Sequence, residues 1–301
     1  PAVVDGSNTT PNSLIRTGFA DTDDNSADFT NATTVTPRGS GATPAPEPSV
    51  TPTETPSPTP TPTITPGAVV PIRDIQGTGA TSPLVGSTVT TRGIVTAAYP
   101  TGGYNGFYIQ TPGPGGDIDL ATHTASDAIF VFGSAATAKV EKGDYVEVTG
   151  PVSEYNFLTE ITAAADNVRV LDEAVGAVQP AKIGWPRTDD EREAFEGMLL
   201  APTGDFTVTD NYETNRFAVL GLAAGTTPLR TPSDVARPGT TQYEAAVADN
   251  DARGVVLDDG ASLDYLNAGK NVPLPYLSLE NPVRVGAAVR SEEHTSELQS
   301  H

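Results

Sequence analysis

The sequence predicts a mainly β chain: a small Greek-key barrel followed by a second, truncated β-rich domain, with a disordered Pro/Thr linker ahead of both. Three observations lead there. Glycine and proline number 29 and 27 in 301 residues and are unevenly spread, the signature of strands, turns and at least one unfolded stretch. Beyond residue 68, short apolar segments alternate with glycine-rich turns. Hydrophobic residues make up 37% of the chain, enough for cores of ordinary size in about two domains.

Residues 1–36 are too short for a domain, and Ser13 to Phe29 reads as the closing strands of one that begins upstream. The chain opens at Pro1 with neither an initiator Met nor a signal peptide, so the sequence is expected to be cut from a longer protein. The cluster Asp21, Asp23, Asn25 starts like a calcium loop. Ser26 then replaces the turn glycine and Ala32 the bidentate Glu, so a solvated acidic turn is expected. In residues 37–68, proline recurs every second to fourth position from Ala42 to Gly67 among Thr and Ser. Proline fixes φ and removes donors, which leaves an extended polyproline II spacer of roughly 3.1 Å per residue. Such stalks typically join modules outside the cell.

Residues 69–178 hold five strand-like segments. Ser87 to Thr96 is a long strand with Gly93 placed to bend it, followed by the turn PTGGYNG and by GFYIQ, Gly106 to Gln110. DAIFVFG, Asp127 to Gly133, is the third. Lys142 to Thr162 supplies two more, with a bend near Gly150 and a tip near Asn156. Five strands, the first bent and the last two paired, suit an OB-type barrel, whereas an immunoglobulin-like sandwich usually needs about seven.

Residues 179–289 read as a second, OB-like domain. Thr188 to Glu191 is a capping box opening a short helix. Gly197-Met198-Leu199, Arg216 to Val219 and Val283 to Gly286 match strand positions of the first barrel in order, so a repeat is expected, provided its strands pair in the same order. Residues 290–301, RSEEHTSELQSH, resemble a conceptual translation of a sequencing adapter and are expected to be non-native. Two of the three histidines, His294 and His301, sit there. His123 alone remains, in a loop, too little for a Ser-His-Asp triad or a hydrolytic metal site, so no complete active site is expected.

The segments IRDIQGTGATSPLVGSTVTTRGIVTA, GFYIQT, SDAIFVF, VEKGDYVEVTGPVSEY and LTEIT resemble the OB-like module of secreted bacterial endonucleases of the ExeM/NucH type. EAFEGMLL, DNYETNRFAVLGL, PSDVARPG and NDARGVVLDDG are similar to the segment next in order in that family, and SLIRTGFADTDDNSADFT to the end of a lamin-tail-like domain. The resemblance implies an extracellular or cell-surface parent whose catalyst is a separate endonuclease/exonuclease/phosphatase domain using Mg or another divalent cation. Nothing in this sequence matches that domain, so the fragment itself needs no cofactor and lends no catalytic residue.

Two roles are then open. In one, the barrel presents DNA: Tyr108 and Gln110 share one face of GFYIQ, opposite Phe107 and Ile109, Tyr99, Tyr104 and Tyr155 are further stacking candidates, and Arg92 is a phosphate contact. The charge opposes this. The chain carries 38 acidic and 17 basic residues, and Val69 to Val178 holds twelve acidic against five basic, so a groove for nucleic acid needs help from cations. In the other role, the chain is a structural spacer or binds cell-wall or matrix polysaccharide. Calcium is a candidate ligand of Asp117 and Asp119, and of Asp258 and Asp259, in either case. Cysteine is absent, which excludes disulfides and thiolate metal sites. No apolar run reaches membrane-spanning length.

Overall fold

The structure, a computed structural model, describes residues 13–16, 29–32, 67–261, 263–278, 280 and 282–290. The acidic cluster at Asp21 to Asp28, the proline-rich stretch through residue 66 and the tail from residue 291 lie outside the described residues. The chain divides into two compact units, Pro1–Thr59 and Pro60–His301. In the first, β1 (Ser13–Arg16) pairs antiparallel with β2 (Phe29–Ala32), Ser13 opposite Ala32.

The second unit opens with a short helix, α1 (Ile72–Gln76), and then β3 (Thr88–Tyr99), β4 (Gly106–Gln110), β5 (Gly116–Asp117) and β6 (Ala128–Phe132). α2 (Ser134–Thr137) precedes the hairpin of β7 (Tyr145–Tyr155) and β8 (Leu158–Thr162), and β9 (Val168–Val170) adds to β7. β3 changes partner beside Gly93, as expected from its bend: Thr88 to Ile94 pair with β7, and Ile94 to Tyr99 with β4. β4 pairs with β6, β6 runs parallel to β8, and β8 pairs with β7. The ring β3-β4-β6-β8-β7 therefore closes on itself. In order of appearance its strands run 1-2-3-5-4 with the third and fifth parallel, an OB-type barrel.

Gly150 makes the second corner. β7 leaves β3 at Pro151 and joins β8 at Val152, and a Cβ on Gly150 would lie 2.1 Å from the Thr162 carbonyl oxygen. Alternation fills the interior: Phe107, Ile109, Ile129, Val131, Val146, Val148 and Ile161 are wholly buried, joined by Ile72, Ile75 and Leu84 at one end.

The rest of the unit is β-rich but is not a second barrel. β10 (Ala181–Lys182) runs parallel to β5, and Thr188 caps α3 (Asp189–Glu193) in the reciprocal manner expected, its hydroxyl accepting from the Glu191 amide at 3.2 Å. Then come β11 (Asp205–Asp210), α4 (Thr214–Phe217), β12 (Leu220–Ala224), α5 (Pro232–Val235), α6 (Thr241–Arg253), β13 (Gly254–Leu257) and β14 (Ala288–Arg290). Their sheet is open and antiparallel, in the order β13-β12-β11-β14.

This order overturns the expected repeat. Arg216 and Phe217, matched to a strand, close the helix α4, which ends at Ala218 with φ 57°; the Thr214 hydroxyl donates to the Val219 carbonyl at 2.7 Å and secures that turn. Gly197 to Leu199 lie outside every strand, and so do Val283 to Gly286. The division expected between residues 178 and 179 falls inside one unit.

Candidate nucleic-acid interface

In an OB barrel, ligands lie against the outer face of the second and third strands and between two loops, one joining the first and second strands and one joining the fourth and fifth. Here the outer face belongs to β4 and β6, and an aromatic cluster stands on it. Tyr108 packs against Phe130 with ring centroids 4.9 Å apart and edge-on against Tyr99 at 6.3 Å, while Tyr99 and Tyr104 lie 5.2 Å apart. Three of the expected stacking residues are thus brought together.

The chain itself covers that face. Gly197 sits on Tyr108, where a Cβ would come within 3.0 Å of the ring, and Gly260 sits on Tyr99, where a Cβ would come within 2.4 Å. Gln110, expected to meet a ligand, is wholly buried, and its Oε1 accepts from the Leu199 amide at 2.9 Å. That is a correction: alternation places Gln110 outside the barrel, but residues from the downstream segment then bury it. Glu196 completes the seam. Its Oε1 accepts from Gln76 Nε2 and from the Thr159 amide, each at 3.1 Å, and its carbonyl accepts from the Ser126 hydroxyl at 2.6 Å. Burial pushes the Glu196 carboxyl up to about 7 against the pull of the Gln76 hydrogen bond.

The tyrosine hydroxyls feel the same cover. Burial, then neighbouring Tyr104 and Asp258, raise Tyr99; burial, then Asp258 and Asp259, raise Tyr104. Tyr108 is raised chiefly by burial. Tyr276 is pushed up to about 12, by burial first and then by Asp259 and Asp258.

Arg92 is corrected as well. It stands opposite Glu147 across β3 and β7, pairs with it at 2.8 Å and with Glu173 at 3.5 Å, and so is committed to carboxylates rather than offered to a phosphate. Arg169 shares Glu147 at 2.9 Å, and its hydrogen bond is the main cause holding that carboxyl below its usual range.

The expected metal ligands do not converge. Asp119 Oδ1 accepts from the Ala121 amide at 3.0 Å, while Asp117 belongs to β5. Asp258 Oδ1 accepts from the Asp259 amide at 3.0 Å, and Asp259 takes the Ala261 amide and the Tyr265 hydroxyl. Among the described residues, no three His, Cys, Asp or Glu side chains form a metal-binding group. His123 stacks on Phe195 at 4.5 Å, and burial lowers its pKa.

What stays open is the loops. Tyr104 is 40% exposed in the β3–β4 connection; Tyr155 and Phe157 are 64% and 91% exposed at the β7–β8 tip. Phe157 was not among the residues expected. Asn156 and Phe157 form a two-residue turn with φ of 50° and 68°, a region that bulky side chains rarely enter. The predicted tip near Asn156 already carried the signal, since a two-residue loop turns its neighbour out of both strands.

The sequence matches no family model and no curated protein. Among solved structures, the S. pombe Stn1–Ten1 complex is similar at 13% identity and a TM-score of 0.19, with 29% of this chain and 59% of that chain covered. This chain thus spans less than two thirds of that relative's length. The OB assignment rests on strand order and register. No helix among the described residues is long and apolar enough to cross a membrane.

Proposed function

We propose that this chain is a non-catalytic accessory region of a secreted DNA-degrading enzyme, in which the barrel contacts single-stranded DNA through its loop aromatics. The observation that carries the reading is the exposure of Tyr104, Tyr155 and Phe157 on the two loops that flank the ligand face of an OB barrel. Base stacking on such rings contributes roughly 1–3 kcal/mol per contact and tolerates any sequence. The resemblance to ExeM/NucH-type endonucleases supplies the enzyme context and the extracellular setting, with a divalent cation belonging to the separate catalytic domain.

Titration with a single-stranded oligonucleotide at low salt, with and without calcium, tests the reading. Binding should appear in at least one condition, and Phe157→Ala should weaken it about tenfold, in line with that stacking energy. Binding in neither condition overturns it. A second reading, a structural or glycan-binding spacer, is favoured by the chain's own cover over the β4 and β6 face and by the twelve acidic residues of the barrel region. Glycan capture without DNA binding would select it. A calcium titration that leaves the melting temperature unchanged would remove calcium from both readings.

A further inference from the structure

The downstream sheet holds a groove that shares no residue with the loop aromatics. Its volume is about 790 Å³, and Trp185, Arg192, Thr209, Arg230 and Asn250 contribute to its walls. That volume falls in the roughly 300–1,000 Å³ range of small-molecule sites. Trp185 also walls a neighbouring cleft of about 410 Å³, which Arg187 lines.

The charge of this groove runs against the rest of the molecule. In a chain with 38 acidic and 17 basic residues, its lining offers two guanidinium groups and a single carboxylate, Asp210, whose Oδ1 is occupied by the Tyr212 amide at 2.9 Å. Arg230 makes no ion pair among the described residues; its Nη2 donates to the Asp234 carbonyl at 3.3 Å. Arg192 is steadied by the Asp251 carbonyl and by Asp189, a partner wholly exposed to solvent. The site is also built rigidly. Asn250 Nδ2 donates to the Arg230 carbonyl at 2.9 Å, the Leu229 amide donates to the Thr209 hydroxyl at 2.8 Å, and Trp185 stands edge-on to Phe206 at 6.0 Å. The indole Nε1 is buried with no hydrogen-bond partner.

A flat indole beside two guanidinium groups selects a ring that carries an oxyanion. We propose that this groove binds a nucleoside monophosphate, its base against Trp185 and its phosphate between Arg192 and Arg230. A phosphate monoester presents three terminal oxygens, enough for both guanidinium forks to engage it at once, and its charge of about −1.5 to −2 near neutral pH outweighs the repulsion from Asp210. A sugar carboxylate presents two oxygens, which one guanidinium fork already satisfies, so it leaves the second arginine without a partner.

Trp185 is the chain's only tryptophan, so its fluorescence reports the groove and the neighbouring cleft that it also walls, and Arg230, which lines the groove but not the cleft, tells the two apart. The full chain is titrated with thymidine monophosphate, thymidine and glucuronate, with correction for absorbance. Saturable quenching by the monophosphate, at least tenfold weaker with thymidine and with glucuronate, is expected. Arg230 is exposed, so Arg230→Gln should leave the fold intact and weaken monophosphate binding at least tenfold, whereas the Tyr155→Ala, Phe157→Ala double variant should leave it unchanged. That last arm separates this site from the loop aromatics. Equal response to thymidine, preference for glucuronate, no saturation by any of the three, or insensitivity to Arg230→Gln overturns the proposal.

Discussion

The barrel and the downstream sheet are built from similar strands, yet they bury their cores differently. The barrel strands close a ring, so every strand has two neighbours, and seven of its large interior side chains have no exposed surface. The downstream sheet keeps two edges, β13 and β14. In its cluster Val208 is wholly buried, but Phe206 and Leu222 retain 6% exposure, and Trp185 and Val255 are only half-buried against it. Ring closure pairs every barrel strand on both sides, whereas β13 and β14 each keep one unpaired edge. The seam at Glu196 to Leu199 bonds to Gln76, Ser126, Thr159 and Gln110.

Mutations at the two cores should break that contrast with unequal force. Phe107→Ala leaves a large void in the closed ring and should cost about 3–5 kcal/mol, read as a lower melting temperature for the whole unit. Leu222→Ala in the open sheet should cost about 2–3 kcal/mol. Native-state hydrogen exchange should show its effect first in β11 to β13, with the amides of β3, β4 and β7 still protected. Equal loss in both regions would make barrel and sheet one cooperative body.

The seam offers a finer test. Glu196 has a folded pKa of about 7, raised above its ordinary 4.5, so the folded chain holds a proton that the unfolded chain releases between those values. Its contribution is full below about pH 4.5 and is lost as pH rises through 7. Discounted for partial exposure, the fall amounts to on the order of 1 kcal/mol. Glu196→Gln should flatten the stability profile across that window, measured by denaturant midpoints at stepped pH. An unchanged slope would place the titration elsewhere.

Much of the barrel was legible from local pattern. Gly93 marked where β3 changes partners, Phe107 and Ile109 alternate inward as GFYIQ requires, and the tip near Asn156 stands where the hairpin turns. The capping box at Thr188 and Glu191 was equally plain. Less was legible downstream. The helix α6, capped by Thr240 and tied by Asp249 to Arg253 at 2.7 Å, carried local helix signals that a strand-by-strand match to the barrel does not register. At the candidate interface, residue type marked Tyr99, Tyr104 and Tyr108 as stacking candidates and the fold brings their rings together, but nothing near them in sequence announced Gly197 or Gly260.

Sequence alone determined the elements whose causes lie within a few residues: alternation, caps, turns and the proline-rich composition ahead of the barrel. Tertiary structure alone decided which outer face is covered, how β11 to β14 are ordered, and that Arg92 faces Glu147 and Glu173. These depend on residues far apart in the chain, such as Gln110 and Leu199. Their energies come from desolvation and from hydrogen bonds that exist only after the segments meet.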